Sequence, residues 1–391
     1  MPGLDLSDGA GELVRLVRIH PPMTRAEVGA VTGWARATVN GRIDELLEHG
    51  LLTTAGPIEG ARGRPATRFR LQAGRGTLLV ADVGASAARV AVCDLDGHAI
   101  RTDRVPIDIS AGPDAVLATV TGALDALRSD DDPPLWGLGI SLPGPIEHAS
   151  GRVVSPPIMT GWDGLVVPDL LEPRYGVPVL VENDADAMAW GEHVIRTPRV
   201  DDLLHLKVGT GVGAGLVVNG RIVRGANGAA GDLGHTRVAP VPGRAEAPLC
   251  RCGKLGCVEA YAGGWAIARD LAADGEQVDT LGDVLALIAR GNPNAIRRVR
   301  DAGRILGAAL AHAVSLLNPS DIVVGGQLAV AGEHLLSGIR ERIAADSLPL
   351  ATSELRIRIG EAPDTAGLIG LADALAGWVF SRERLADVLA R

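Results

Sequence analysis

Residues 203–215 of this 391-residue chain read LLHLKVGTGVGAG, an apolar run followed by closely spaced glycines. The run from 203 to 208 has the length and composition of a buried strand, and the glycines predict a tight turn at its end. Residues 216–218 then lead through Asn219-Gly220, a pair typical of a two-residue hairpin turn, into another strand.

A similar start occurs about 125 residues earlier in the chain. Residues 77–83 form an apolar run that ends in Asp82-Val83-Gly84-Ala85-Ser86, and residues 88–94 form a second strand that turns at Asp96-Gly97. Because this strand–turn–strand start occurs twice, we predict two related α/β lobes that face a common cleft. The sequence match between the halves is weak, so the duplication is a hypothesis.

Apolar periodicity and flanking turn residues predict the other main elements of the two lobes. They are helices over about 114–127, 185–192 and 302–317, strands over 137–140 and 177–181, and a strand over 322–324 that ends in Gly325-Gly326.

The start of the chain predicts a helix-turn-helix. Residues 11–19 carry apolar groups at helical spacing. Thr24 and Glu27 have the spacing of a capping box, which predicts the start of a second helix. Gly33 makes the turn, and a third helix is predicted over about 35–49.

Two short strands, 51–54 and 68–71, are predicted next, and the loop between them contains the basic run GARGRP at 60–65. This is the shape of a wing, so residues 1–74 are predicted to form a winged helix-turn-helix domain. Such a domain reads bases with its third helix, and its wing contacts phosphates or the minor groove. A solvated polar face is the alternative. The candidate DNA contacts are Arg36, Thr38, Asn40 and Arg42 on the helix and Arg62 and Arg64 on the wing.

Charge is divided unevenly along the chain. The net charge of −9 by itself disfavours a nucleic-acid partner. Residues 1–75 nevertheless hold ten arginines against eight acidic residues, whereas the remainder holds 28 basic and 39 acidic residues. The acidic remainder therefore does not exclude DNA contact by the N-terminal segment.

The polar start of the chain shows no signal peptide, and no apolar run approaches the roughly 20 residues that span a bilayer. We therefore expect a cytoplasmic protein without a membrane partner.

His235, Cys250, Cys252 and Cys257 predict a metal site. Three cysteines within eight residues are rare in a cytosolic chain. One histidine and three cysteines complete a tetrahedral Zn²⁺ site with no open position, as a structural zinc requires. The alternative is three buried thiols beside an unrelated histidine.

Glu182-Asn183-Asp184 follows the strand predicted at 177–181. Ligands of open α/β folds bind at the carboxyl ends of strands, where a carboxylate can act as general base toward a bound hydroxyl. The alternative is that Asp184 is the N-cap of the next helix. The glycine turns at 82–86 and 209–215 are phosphate cradles or plain tight turns.

These segments together resemble the ROK family (repressors, open reading frames and kinases) over nearly the whole chain. The motifs are GISLPGP at 139–145, SPP at 155–157 through Gly161-Trp162, ENDA at 182–185, GDLGH at 231–235, CVE at 257–259 and, in the N-terminal segment, GRP at 63–65. The last is similar to the repressor branch, which includes xylose and N-acetylglucosamine repressors. The resemblance implies a two-lobed sugar-kinase-like domain of the actin/hexokinase type over 75–391, with lobe one at about 75–185 plus the C-terminal helix and lobe two at about 186–375.

The resemblance also implies roles for individual residues. Asn183, Asp184, Asp232, His235 and Glu259 would bind the sugar, and Asp184 would be the catalytic base of a kinase. His235 would place one ring nitrogen on zinc and the other on the sugar, so the ion would support the pocket. The residues for a nucleotide would be Gly84, Ser86, Gly209, Thr210, Gly211, Gly325 and Gly326.

Several residues depart from the family pattern. Ser86 and Ala87 stand where family kinases usually have Thr and Lys, which weakens the case for ATP. Pro157 stands where an Asn often contacts the sugar, and Asp232 replaces the usual Glu. Ala35 stands at an N-cap where Ser is usual, and alanine is a poor cap.

Three functions are compatible with these features. The leading one is a sugar-responsive regulator, a repressor of carbohydrate-metabolism genes, whose partners are a double-stranded DNA operator and a sugar or sugar derivative. Two half-sites would require a homodimer or homotetramer. The second is a sugar kinase that uses Mg-ATP and carries a regulatory DNA-binding domain. The third is a sugar-binding protein whose helix-turn-helix contacts proteins.

Overall fold

The computed structural model describes residues 9–57, 66–239, 246–381 and 384–385. A small helical unit with its own antiparallel sheet comes first, and two α/β lobes follow, each built on a five-stranded sheet. No helix in these ranges is both long and apolar enough to cross a membrane.

The N-terminal unit contains the three helices and the two strands that the sequence predicts, and one short strand, Met23–Thr24, that it does not predict. They are α1 (Ala10–Ile19), β1 (Met23–Thr24), α2 (Arg25–Thr32), α3 (Arg36–Glu48), β2 (Leu52–Pro57) and β3 (Thr67–Leu71). The capping box is confirmed, since the Glu27 N–H donates to Thr24 Oγ1 at 3.2 Å and the Thr24 N–H donates to Glu27 Oε2 at 2.7 Å. Gly33 turns the chain with φ +69°, and Ala35 precedes α3 without a side-chain cap.

Lobe one is built on a sheet with strand order β10-β7-β4-β5-β6. Strands β4, β7 and β10 pair in parallel, whereas β5 pairs antiparallel with both β4 and β6. Its elements are β4 (Thr77–Val83), β5 (Ala87–Asp94), β6 (Ala99–Pro106), α4 (Pro113–Leu127), β7 (Leu135–Leu142), β8 (Ile146–Glu147), β9 (Arg152–Val153), α5 (Pro168–Tyr175) and β10 (Val179–Asn183). Helix α6 (Asp184–Val194) follows β10 and packs mainly on the sheet of the second lobe.

Lobe two repeats this topology with strand order β13-β12-β11-β14-β15. An antiparallel meander is again followed by two parallel strands, so the hypothesis of a repeat agrees with the topology. Its elements, and the C-terminal helix after them, are β11 (Leu203–Val208), β12 (Val212–Val218), β13 (Arg221–Ile222), α7 (Glu259–Ala262), α8 (Gly264–Ala273), α9 (Leu281–Ala289), α10 (Pro293–Leu317), β14 (Asp321–Gly325), α11 (Glu333–Asp346), α12 (Pro349–Thr352), β15 (Arg356–Ile359) and α13 (Ala366–Val379).

The long helix α10 starts about nine residues earlier than the sequence predicts. Asn292 caps it by accepting a hydrogen bond from the Ala295 N–H at 3.0 Å, and Pro293 occupies its first turn. Proline is favoured there because the first N–H groups of a helix have no partner within the helix. The prediction relied on the apolar stripe alone and therefore missed this start.

One apolar core joins the N-terminal unit to lobe one. Side chains from α1, α3 and β3 belong to the same buried cluster as one face of the first sheet and as α13. Within this core, Trp136 of the first sheet and Phe380, which follows α13, meet edge to face with ring centroids 5.9 Å apart. Lobe two has a separate core between its sheet and helices α8–α11. The first lobe therefore supports the N-terminal unit directly.

Candidate functional site

The carboxyl ends of the two sheets meet at an ion pair. Asp184 directly follows β10 of lobe one as the first residue of α6, and Lys207 is the penultimate residue of β11 in lobe two. Lys207 Nζ contacts Asp184 Oδ2, and the Asp184 side chain is almost fully buried. The pair therefore joins the two lobes at the edge where α/β folds bind their ligands.

Asn183, and not Asp184, is the N-cap of α6. Asn183 Oδ1 accepts hydrogen bonds from the Ala185 N–H at 2.9 Å and the Asp186 N–H at 3.3 Å. Its Nδ2 donates to the Gly144 carbonyl at 2.9 Å, which ties the loop after β7 to the helix. The interpretation of Asp184 as the N-cap is wrong, because Asn183 satisfies the first N–H groups and leaves the Asp184 carboxylate free to face Lys207.

Asp82 is a further carboxylate at this edge, and the sequence analysis did not include it among the site residues. It lies near the end of β4 and accepts a hydrogen bond from Ser141 Oγ at 2.7 Å. Burial raises the pKa of Asp82, and the bond from Ser141 and the charge of Lys207 oppose that rise. Lys207 was also missed, although it is one of only two lysines and lies two residues before the second glycine turn.

The glycine residues predicted for a nucleotide lie at the carboxyl ends of β4, β11 and β14. The turn after β4 closes with a bond from the Gly84 N–H to the Ala87 carbonyl at 2.9 Å, and Ser86 is exposed on it. The turn at 209–211 closes in the same way, and Thr210 lies half-buried on it. Gly326 has φ +81°, and a Cβ there would lie 2.5 Å from the Val208 carbonyl. Their role toward a nucleotide remains a prediction.

Glu259 connects the second glycine turn to the cysteine-rich loop. Its Oε2 accepts a hydrogen bond from the Val212 N–H at 3.0 Å, and its Oε1 accepts one from Trp265 Nε1 at 3.3 Å. Cys250 Sγ lies 3.9 Å from the same Oε1. Because the Glu259 carboxylate contacts both the glycine turn and Cys250, it positions the cysteine-rich loop relative to that turn.

His235 and the three cysteines form a cluster that can hold a metal ion. Their ligand atoms all lie within 4.8 Å of one another. Cys250 Sγ is 3.7 Å from His235 Nδ1, and Cys252 Sγ is 3.7 Å from Cys257 Sγ. Tetrahedral coordination with metal–sulfur bonds of about 2.3 Å places two sulfurs about 3.8 Å apart, so these spacings fit one central ion. Nδ1 faces the cluster, and Asp232 lies exposed beside this histidine.

A second group of charges surrounds Glu182, two residues before Asp184. Arg224, which follows β13, donates to Glu182 through Nε at 3.0 Å and through a terminal nitrogen at 2.5 Å. His148 Nδ1 lies 3.3 Å from Glu182 Oε1. Burial raises the pKa of Glu182, but His148 and Arg224 outweigh burial and hold the pKa below its ordinary value. Burial, followed by the charge of Glu182, raises the pKa of Asp186 to about 8.

The candidate DNA contacts on α3 differ in exposure. Arg36 and Thr38 are exposed, whereas Asn40 and Arg42 are half-buried. A nitrogen of Arg42 lies 3.8 Å from Glu45 Oε2. The other two candidates, Arg62 and Arg64, lie outside the described residues.

The site geometry can be compared with known families. The model of the ROK family matches residues 79–377, a range that includes both sheets. The chain belongs to the ROK family. The matched range contains every residue that the sequence analysis assigned to the sugar, the nucleotide and the metal.

Relatives of this ROK protein include both enzymes and repressors. A glucokinase from Halalkalibacterium halodurans is 32% identical over 320 residues, which are 77% of this chain and 94% of the glucokinase. A xylose repressor from Caldicellulosiruptor bescii is 25% identical over 365 residues, which are 89% of this chain and 90% of the repressor. The crystal structure of a ROK family transcriptional regulator, a homologue of the E. coli MLC protein, matches with TM-score 0.81 and 26% identity over 99% of both chains. That structural match includes the N-terminal unit.

The pKa of Asp186 predicts how stability depends on pH. Because the folded protein holds this proton up to about pH 8 and the unfolded chain releases it near the ordinary aspartate pKa of 3.8, the free energy of unfolding decreases as pH rises between these values. We expect Asp186→Asn to remove this contribution, about 2–4 kcal/mol between pH 5 and pH 8. Urea unfolding at both pH values measures it. The exposed Asp103→Asn is the control, and an unchanged pH dependence in Asp186→Asn would contradict the assignment.

Proposed function

We propose that this ROK protein is a sugar-responsive transcriptional regulator that represses carbohydrate-metabolism genes. In this proposal residues 1–74 are a winged helix-turn-helix domain that binds an operator, and residues 75–391 bind the sugar between their lobes. The observation that carries it is the shared core of the N-terminal unit and lobe one. Because the two parts pack on the same core, a conformational change in lobe one alters the position of the N-terminal unit. The match to a ROK transcriptional regulator over 99% of both chains supports the same conclusion.

The N-terminal unit is suited to DNA because α3 is exposed at its N-terminal end and braced behind it. Arg25 donates to the Asn40 carbonyl at 3.0 Å and to Asp44 at 2.6 Å, and its guanidinium lies 5.1 Å from the centroid of Phe69. This bracing orients α3 relative to the sheet. We propose that Arg36 and Thr38, with Asn40 and Arg42 behind them, face the major groove, and that Arg62 and Arg64 contact the phosphates or the minor groove.

We propose that the sugar binds where the lobes meet. Carboxylates and a histidine suit hydroxyl groups, since they accept and donate hydrogen bonds in fixed directions. The proposed contacts are Asn183, Asp184, Asp232, His235 and Glu259. The names of the relatives indicate xylose or glucose as the first sugars to test. Two operator half-sites would then be bound by a homodimer or homotetramer.

This function predicts that sugar changes the affinity for DNA. We expect D-xylose or D-glucose to change the operator Kd at least fivefold, the lower end of typical allosteric coupling. The measurement is fluorescence anisotropy with a duplex selected by the full-length protein from a random pool. Arg36→Ala should weaken binding, whereas Arg15→Ala, an exposed arginine of α1, is the matched control.

Two results would contradict this function. Operator affinity that no sugar changes would refute the regulator. Absence of salt-dependent DNA binding would instead favour a helix-turn-helix that contacts proteins.

We propose that the ion held by His235 and the cysteines is a structural Zn²⁺. The donor set of one nitrogen and three sulfurs, with no open position, is characteristic of such sites. His235, Cys250, Cys252 and Cys257 would hold the ion, which would tie the loop 250–257 to His235. Glu259 connects this loop to the second glycine turn. The metal would thus fix the position of His235, one of the proposed sugar contacts, without contacting the sugar itself.

A ligand substitution tests the metal. We expect Cys252→Ser to reduce zinc from about one ion per chain to less than half, because three ligands leave the site open. The melting temperature should fall with it. Elemental analysis of the purified protein measures zinc, and Cys93→Ala is the control, since Cys93 lies buried in lobe one. Full zinc content in Cys252→Ser would refute the assignment.

The second candidate function is a sugar kinase that uses Mg-ATP. It is favoured by Asp184 at the meeting point of the lobes, where a general base would act on a sugar hydroxyl. Lys207 opposes it, because its ammonium pairs with Asp184 Oδ2 and so competes with a hydroxyl proton for the carboxylate. The same positive charge also faces Asp82. We therefore rank the sensor above the enzyme.

Replacement of Lys207 tests this ranking. We expect Lys207→Met to raise ATP-dependent phosphorylation of D-glucose at least tenfold above the wild-type rate, because Asp184 is released. Lys207→Arg keeps the charge and should stay at the wild-type rate, and adding Asp184→Asn to Lys207→Met should abolish the gain. A coupled assay for ADP measures the rates. A wild type that phosphorylates D-glucose well above background, as fast as Lys207→Met and dependent on Asp184, would make the kinase the better conclusion.

A further inference from the structure

Helix α6 leads from the candidate ligand site to the C-terminal helix α13. Asn183 caps α6, Asp184 is its first residue, and its middle packs closely against α13. A Cβ on Gly191 would overlap the Ala366 carbonyl, and a Cβ on Gly370 would overlap the Ala187 carbonyl. Backbones in such close contact cannot slide past each other freely, because protein interiors are close-packed. A shift of α6 is therefore passed to α13.

One carboxylate on α13 connects three parts of the molecule. Asp373 Oδ2 accepts a hydrogen bond from Trp190 Nε1 of α6 at 2.7 Å. Asp373 Oδ1 accepts one from an Arg18 guanidinium nitrogen of α1 at 2.8 Å. The first donor belongs to α6 and the second to the N-terminal unit. Each carboxylate oxygen of Asp373 thus has its own donor, and this one side chain connects α6 to α1.

The Arg18 end of this connection is held on several sides. The same guanidinium lies 3.4 Å from the Asp96 carbonyl oxygen in the turn between β5 and β6. The Arg18 side chain is only 6% exposed and that of Asp373 only 16%, so solvent screens the pair weakly. Arg18 belongs to α1, whose apolar face lies in the core shared with lobe one. A movement of Asp373 therefore displaces α1 or breaks a largely buried bond.

We propose that Asp373 couples the ligand site to the N-terminal unit, passing a ligand-induced shift of α6 through Trp190 and Arg18 to α1. This inference rests on the proposed function and names the residues that perform its regulation. The physical basis is directional, since hydrogen bonds weaken steeply with distance and angle. The Asp373 carboxylate can accept both hydrogen bonds only while α6 and α1 hold one position relative to each other. If a ligand favours a different position of α6, the original position of α1 becomes less favourable.

The test is the ratio of operator Kd values with and without saturating D-xylose or D-glucose, whichever acts on the wild type. We expect Asp373→Asn to bring this ratio to within twofold of one. An asparagine keeps one acceptor oxygen and cannot serve both donors. Trp190→Phe removes only one bond and should give an intermediate ratio. The sugar Kd of the free protein should stay within twofold of wild type in both variants.

The control is Asp132→Asn, which weakens an Arg–Asp pair of lobe one, with Arg101, that is more exposed on its arginine side; this variant should keep the wild-type ratio. Wild-type ratios in both Asp373→Asn and Trp190→Phe would overturn the coupling while leaving the proposed function intact. Loss of sugar binding in Asp373→Asn would also overturn it, because the residue would then support the site itself. A wild-type ratio of one with every sugar would refute the proposed function and the coupling together.

Discussion

The close contact between α6 and α13 is the constraint on which the rest of the structure depends. At Gly191 and Gly370 the two backbones are so close that a side chain at either position would overlap the other helix. Each helix therefore fixes the position of the other. At its first residue α6 presents Asp184 to the second lobe, and its flank also lies against β12 at Gly215. The other face of α13 covers the first sheet and reaches the N-terminal unit. The position of α6 is therefore shared by the site, both lobes and the unit at the start of the chain.

Charge is concentrated where α6 begins, and its compensation crosses the lobes. Lys207 and Arg224 from lobe two face Asp184 and Glu182 from lobe one. Because largely buried carboxylates are stable only when paired or protonated, lobe two supplies part of what lobe one needs to keep its charges. A ligand that offers hydroxyl groups to Asp184 competes with Lys207 for the same carboxylate. This competition is a physical reason for a ligand to change the relative placement of the lobes.

The sequence predicted most of the fold, because strands, turns and capping residues are local signals. Strands β4 and β11, the capping box at Thr24 and the metal cluster at 235–257 were read from neighbouring residues. The start of α10 was missed because the search followed only apolar periodicity. The pairs Asp184–Lys207 and Arg18–Asp373 join residues 23 and 355 positions apart, and no local pattern carries such pairings. Asn183 as the N-cap was also missed, since either of two adjacent residues could cap the helix.

The central claim is that one chain binds sugar and DNA and that the two events are linked. Linkage is reciprocal, so the factor by which sugar changes DNA affinity must equal the factor by which DNA changes sugar affinity. The most direct measurement is calorimetric titration of the sugar into the free protein and into the operator-bound protein. The account predicts sugar Kd values that differ at least fivefold between the two samples. Equal sugar affinities in both samples would contradict it.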